Sequence, residues 1–277
     1  MSDFVATLER LFSKGIRYST VIDVGCADGH FFLSLMKLFP DAVPVNIDAN
    51  CLYEQSLKAI KDAVGGHYYI GALTDFVGEI ELTESAHPYW SSVRAKGDIY
   101  WSRVNNLIKS KVKVSATTLD MLVKALELKP PFLLKLDVQG AEKAALAGGK
   151  AALKECLVVI CEADIDDFQD INTILMDAGF HLYDITGLNR INDGTLGWFY
   201  PVYINRKLEN MFPRAFWGEQ DNDAMIAIQV ARRERILRSN HEILGRLQYG
   251  QKSARRNELC PCGSGRKFKH CCGSNKS

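Results

Sequence analysis

The stretch Thr20-Val-Ile-Asp-Val-Gly-Cys-Ala-Asp-Gly-His30 constrains the fold more than any other. Val21, Ile22 and Val24 are a β-branched run of the kind that fills a buried strand. Asp23 sits near its end. Gly25 and Gly29 bracket a tight turn, and Phe31 to Leu38 continues with helical character. Strand, glycine turn and helix in that order bring bare main chain and a helix N-terminus against a ligand. A Cβ at the glycines would hold that ligand away. Asp23 and Asp28 set its sign: a pyrophosphate is repelled, an amine or sulfonium attracted. The spacing Gly25-x-x-x-Gly29 also departs from the three-glycine dinucleotide pattern.

Strand and helix signals then alternate. Phe4 to Phe12 has helical spacing. Ala42 to Asp48 reads as a second strand ending in an acid, with a helix over 50–60. Asp48 follows the glycine turn by about twenty residues, where a carboxylate can accept both hydroxyls of a ribose. His67 to Leu73 is a third strand, closed by Thr74 and Asp75, and Asp75 joins the candidate ligand-binding set. Val77 to Leu82 alternates as a half-exposed strand does. The irregular segment 83–110 holds His87, Tyr89, Trp90, Trp101 and Arg103. Loops this long are lids or binding loops, or insertions whose aromatics simply pack down.

The second half repeats the pattern. Lys113 to Thr117 is a short strand, and Thr118 caps a helix to Leu126. Pro131 to Asp137 is a central strand that turns straight into a helix over 138–146. Gly148-Gly149 breaks it, and a second piece runs to Glu155. Cys156 to Glu162 is a strand, and Phe168 to Ala178 a helix capped by Gly179. Phe180 to Thr186 and Trp198 to Asn205 are strands around the turn-rich 187–197, as in an antiparallel hairpin. The order predicts an α/β fold, a doubly wound sheet with an antiparallel edge strand, over residues 1–206. A loop, a helical connector and a basic linker follow over 207–256.

Charge and cysteine divide the chain the same way. Net charge is +1. Seven Lys or Arg face one Glu between Gln251 and Ser277, so the tail carries +6 and the remainder −5. Four of the eight cysteines, Cys260, Cys262, Cys271 and Cys272, crowd the tail. In a reducing compartment, clustered thiols read as metal ligands. No run reaches the length of a membrane span. The N-terminus carries an early acid, unlike a signal peptide, and a cytoplasmic location is expected.

Chemistry concentrates at the strand ends. Asp23, Asp48 and Asp137 fall at one rim, with Glu162 one strand further out. Lys135, two residues before Asp137, shares its face. A lysine inside a central strand requires a partner or a cleft. Two readings stand: a catalytic floor, or a structural Lys135–Asp137 network.

Val21-Ile-Asp-Val-Gly-Cys-Ala-Asp-Gly29, Thr118-Leu-Asp120 and Leu133-Leu-Lys-Leu-Asp-Val-Gln-Gly-Ala-Glu142 through Gly148-Gly149 resemble the FkbM-type methyltransferases. The resemblance covers about residues 18–205. It implies a class I methyltransferase (Rossmann-like) sheet and S-adenosylmethionine as cofactor, held by Asp23, Gly25, Asp28, Gly29, Asp48 and Asp75. It implies methyl transfer to an oxygen of a sugar, glycan or small metabolite. Asp137 is the expected base or acceptor-orienting group, supported by Lys135 and Glu142. This chain has Asp28 where that family often has Asn, and Gln139 where Glu is commoner. The runs Asn-Pro-Pro-Tyr and Asp-Pro-Pro-Tyr are missing from the sequence, which argues against methylation of an exocyclic base amine; a nucleic-acid methylase guided by the basic tail is the weaker alternative.

The tail, Asn257-Glu-Leu-Cys-Pro-Cys-Gly-Ser-Gly-Arg-Lys-Phe-Lys-His-Cys-Cys-Gly273, resembles the SEC-C zinc motif of the SecA translocation ATPase. Cys260, Cys262, Cys271 and Cys272 offer four thiolates, a set that suits tetrahedral zinc; His270 is a rival ligand. A knob over 257–275 cannot bury a core, so metal would supply most of its folding free energy. Its basic residues Arg266, Lys267 and Lys269 imply docking to a protein partner or an acidic surface. The expected function is therefore an S-adenosylmethionine-dependent O-methyltransferase with a docking tail. The rival is a non-catalytic, cofactor-binding adaptor.

Overall fold

The structure, a computed structural model, describes residues 4–87, 89–93, 107–211, 222–249, 255–261, 263–271 and 273–274. Two units divide the chain, 1–212 and 213–277. The first is built on an eight-stranded sheet. Its parallel centre comprises β1 (Thr20–Val24), β2 (Val43–Asp48), β3 (His67–Ile70), β7 (Phe132–Leu136) and β8 (Cys156–Cys161). β10 (Phe180–Arg190) and β11 (Leu196–Asn205) form the hairpin, and β9 (Ala163–Asp164) pairs with β11.

Strand order is β10-β11-β8-β7-β1-β2-β3. The chain leaves β1 toward β2 on one side, and β7 lies on the other. The switch point, where open α/β sheets bind ligands, is therefore between β1 and β7. The hairpin closes one edge as expected. Within it β11 runs antiparallel to both β8 and β10 and lies one strand in, leaving β10 at the margin.

Alternation along the central strands explains the layers. Val21 and Leu133 face one side with Leu8 and Leu11 of α1 (Phe4–Ser13) and Phe32 and Leu35 of α2 (His30–Leu35). Ile22, Val24, Leu134 and Leu136 face the other. There they meet α4 (Leu119–Ala125), α5 (Glu142–Ala147), α6 (Lys150–Glu155) and α7 (Phe168–Asp177). α3 (Glu54–Val64) packs Leu57 and Ile60 beside the β1–α2 turn. Thr118 caps α4 by accepting from the Met121 N–H at 3.1 Å.

Three expectations change. The third strand splits at Gly71: His67–Ile70 stays in the large sheet, while β4 (Ala72–Leu73) joins a three-stranded sheet with β6 (Ile108–Thr117) and β5 (Gly78–Ser85). β5 and β6 pair antiparallel from Gly78↔Ala116 to Ser85↔Ile108, so regular structure extends further into the insertion at both ends. Trp101 and Arg103 lie outside the described residues. Finally, α5 starts only at Glu142, because Gln139 and Gly140 are left-handed (φ +56° and +95°) and hold a turn there.

In the second unit, α8 (Asn222–Tyr249) is one long helix. The tail folds around Cys260 and Cys271, which pack with Phe268. No helix among the described residues is long and apolar enough to cross a membrane.

Candidate functional site

A cleft of about 680 Å³ opens at the carboxyl ends of β1, β2, β7 and β8. One wall is the β1–α2 turn. There the Gly25 and Cys26 N–H groups donate to the Ile47 carbonyl at 2.9 and 3.1 Å, tying the turn to β2. Ala27 is left-handed (φ +47°) and donates its N–H to Asp48 Oδ2 at 2.9 Å. The Asn50 N–H donates to Asp48 Oδ1 at 2.8 Å. Burial pushes the Asp48 carboxyl up to about 6, against the pull of these two N–H donors.

The floor is ionic. Parallel pairing sets Asp23 beside Lys135. The Lys135 ammonium lies 3.2 Å from Asp23 Oδ1 and 3.3 Å from Asp137 Oδ2. Burial works against that ammonium, but the Asp137 and Asp23 carboxylates outweigh it and raise its pKa. Burial likewise raises Asp23, with Lys135 opposing. Asp23 is wholly buried, and its Oδ2 has no hydrogen-bond partner among the described residues. Asp23 lies beneath the floor, paired with Lys135, and does not line the cleft as its expected place in the cofactor set requires, whereas Asp137 reaches the cleft, its side chain 20% exposed.

The far wall gathers carboxyl groups. Glu142 accepts from the Val138 N–H at 2.8 Å, and burial raises it to about 7. Gln139 Nε2 donates to Asp137 Oδ1 (3.1 Å) and to Glu162 Oε2 (2.8 Å). Tyr200 Oη lies 3.2 Å from Asp137 Oδ2 and 3.3 Å from Glu162 Oε1. Part of the insertion crosses the mouth. The Ser92 hydroxyl donates to the Gln139 carbonyl at 2.9 Å, and Asn50 Nδ2 to Ser91 Oγ at 3.3 Å. His87 stacks on Trp90 with ring centroids 4.2 Å apart.

Gly25, Asp28, Asp48, Lys135, Asp137 and Glu142 thus line one cleft. Asp75 does not: the chain has left the large sheet, and Asp75 is exposed in the turn after β4. Gly29 does not line it either. A Cβ there would lie 2.4 Å from Ile60 Cδ1, so this glycine serves helix packing. At Gly25 the Cβ would meet the Asp137 carbonyl oxygen, so the missing side chain also lets the β1–α2 turn close against the end of β7. Tyr200 escaped the sequence reading. Val202 pairs with Ile160, and continuing that antiparallel register sets Tyr200 opposite Glu162. Hairpin alternation hints at its face, but only the long-range register gives its partner.

In the tail, Cys260 and Cys271 are buried, Cys271 Sγ lies 3.1 Å from Ser264 Oγ, and His270 is exposed. Cys262 and Cys272 lie outside the described residues. Among the described residues no three His, Cys, Asp or Glu side chains are arranged so that they could hold a metal ion.

Residues 45–182 match the methyltransferase FkbM domain, and residues 256–274 the SEC-C motif. The chain carries a domain of the FkbM methyltransferase type over residues 45–182, about half its length. Its curated relatives match the C-terminal region. The protein translocase subunit SecA of Endomicrobium trichonymphae is 33% identical over 87 residues, 31% of this chain and 8% of that protein. The SecA of Thermodesulfovibrio yellowstonii is 46% identical over 48 residues, 17% of this chain and 6% of that protein. The chain therefore spans under a tenth of these relatives. Among solved structures, the precorrin-6y C5,15-methyltransferase of Geobacter metallireducens is 11% identical with a TM-score of 0.37, covering 71% of this chain and 85% of that one. The Methanococcus jannaschii fibrillarin pre-rRNA processing protein is 12% identical with a TM-score of 0.36, covering 68% and 66%. Likenesses this low say nothing about the chemistry of the FkbM domain.

Proposed function

We propose that the cleft seats S-adenosylmethionine, and that Asp137 receives the proton of an acceptor hydroxyl on a sugar, glycan or small metabolite. The observation that carries this reading is Lys135, placed between a buried Asp23 and a surface Asp137 at the sheet's switch point. When bound, the cofactor supplies a methyl group on positively charged sulfur. Gly25 to Asp28 and Asp48 are the residues placed to hold it. The cleft volume lies within the roughly 300–1,000 Å³ of small-molecule sites. Asp48 is already oriented by two N–H donors, and each of its oxygens keeps a lone pair for a ribose hydroxyl.

On the acceptor side, an ionised Asp137 beside Lys135 accepts a hydroxyl hydrogen bond and takes the proton as the new bond forms. Holding acceptor and methyl in line supplies much of the acceleration. Glu142 supports Asp137 by fixing the turn behind it through the Val138 N–H. In the tail, Cys260, Cys262, Cys271 and Cys272 are the proposed zinc ligands. Buried thiols at 260 and 271 are the donor type that zinc takes. Exposed Arg266 and Lys267 then present a basic surface for docking.

Incubating the intact, zinc-loaded protein with a cell extract and methyl-labelled S-adenosylmethionine tests the reading by mass spectrometry. A labelled methyl on a hydroxyl is expected. Cofactor binding with no label transferred would favour the adaptor instead.

A further inference from the structure

Asp137 and Glu162 follow neighbouring parallel strands, and their carboxyl groups are bridged twice, by Gln139 and by Tyr200. Counting hydrogens decides the state of this pair. The Gln139 amide has two, one for each carboxyl group. The Tyr200 hydroxyl has one, yet an oxygen of each carboxyl group faces it at 3.2 and 3.3 Å. With both groups ionised, one of those oxygens would confront a phenol lone pair with no hydrogen between them. One additional proton closes the network.

The surroundings say where that proton sits. The Lys135 ammonium lies 3.3 Å from Asp137 Oδ2 and favours ionised Asp137. Glu162 feels Lys135 less than it feels its burial and its negative neighbours. Burial first, then the charges of Asp137 and Glu142, push its carboxyl well above the usual range. The groups that bear on it are Asp137 and Gln139 from the turn after β7, Lys135 from β7, Glu142 from α5 and Tyr200 from β11.

We propose that Asp137 and Glu162 share one proton lodged on Glu162, and that Tyr200 is the positioning residue that makes Asp137 a usable base. Glu162 donates its O–H to Tyr200 Oη, and Tyr200 donates its own to Asp137 Oδ2. Asp137 is left ionised, clamped by Lys135, Gln139 and Tyr200, with lone pairs toward the cleft. The inference rests on Asp137 taking the acceptor's proton, as proposed above. In that step the acceptor O–H bond breaks and its proton goes to Asp137. The C–O bond forms, and the C–S bond breaks with its electron pair returning to sulfur. A neutral Glu162 keeps the negative charge of the pair single until then.

Carbon-13 NMR of the intact chain, labelled at the glutamate carboxyl carbon, reads the proton directly. The Glu162 resonance is assigned by its loss in Glu162→Gln. It is expected at the protonated position at neutral pH. Tyr200→Phe supplies a test of sign. If the neutral acid donates to Tyr200, removing that hydroxyl lowers the proton affinity of Glu162, and Asp137→Asn lowers it by about tenfold or more. An ionised Glu162 at neutral pH, or a proton affinity that rises in Tyr200→Phe, overturns the proposal. The titration needs neither cofactor nor acceptor, so failure of cofactor binding would sink the methyltransferase reading and leave this result standing.

Discussion

Gly25 and Asp137 meet main chain to main chain: a Cβ on Gly25 would fall 1.8 Å from the Asp137 carbonyl oxygen. The glycine turn after β1 and the acidic end of β7 are thereby locked together. Gly25 also has a left-handed φ of +71°. Gly25→Ala therefore meets both a backbone clash and conformational strain, and is expected to cost at least about 2 kcal/mol. Denaturant unfolding measures the loss. An alanine variant as stable as the wild type would show that the two loops are free to separate.

Lys135 is 5% exposed and sits between two carboxylates. Lys135→Met leaves Asp23 buried without its cation, an expected loss of about 3–5 kcal/mol. Adding Asp23→Asn removes the stranded charge and should recover much of it. The pair of variants separates a stranded charge from simple packing damage, because packing damage would not be repaired by the second change.

Glu142 sets a pH dependence. Its carboxyl is raised from 4.5 to about 7 by burial, against several N–H donors. The folded state then holds this proton more tightly than the unfolded chain. The stabilisation is complete below about pH 4.5 and is lost as pH rises through about 7, a change on the order of 3 kcal/mol. Asp48, raised to about 6, acts with the same sign. Chemical denaturation from about pH 5 to about pH 8 should show falling stability, with a shallower fall in Glu142→Gln. Stability that climbs over this range would show that these carboxyls are ionised throughout.

For the tail, the expected outcome is one bound zinc ion per chain, lost in Cys271→Ser. Metal binding in comparable peptides supplies about 10–16 kcal/mol of folding free energy, so a chelator should unfold the tail. Elemental analysis and limited proteolysis read both effects. A tail that resists proteolysis equally well without metal would remove zinc from the picture.

The rim acids were legible from sequence because each is a local event: an apolar run, then an acid, at the end of a parallel strand. Asp48, Lys135 and Asp137 need only that pattern and the rule of alternation, whereas Asp23, one residue short of the end of β1, is buried beneath the cleft instead of at its rim. What escaped depended on distance through space. Tyr200 meets Asp137 across 63 residues of sequence and Glu162 across 38, through a hairpin register that no local signal fixes. The glycine spacing predicts the turn, but not that Asp137 and Ile60 occupy the places where a Cβ would go. The third strand looks continuous through Gly71, and that continuity is what puts Asp75 in the expected ligand set. The chain changes sheets there, and the acid goes with it.

Calorimetric titration of the intact chain with S-adenosylhomocysteine, beside Asp48→Ala, tests the cleft most directly. A single site is expected, with affinity falling about tenfold to a hundredfold in the variant as a charged hydrogen-bonding group is lost. No heat of binding from folded protein, or equal affinity in Asp48→Ala, would contradict the assignment of this rim to the cofactor.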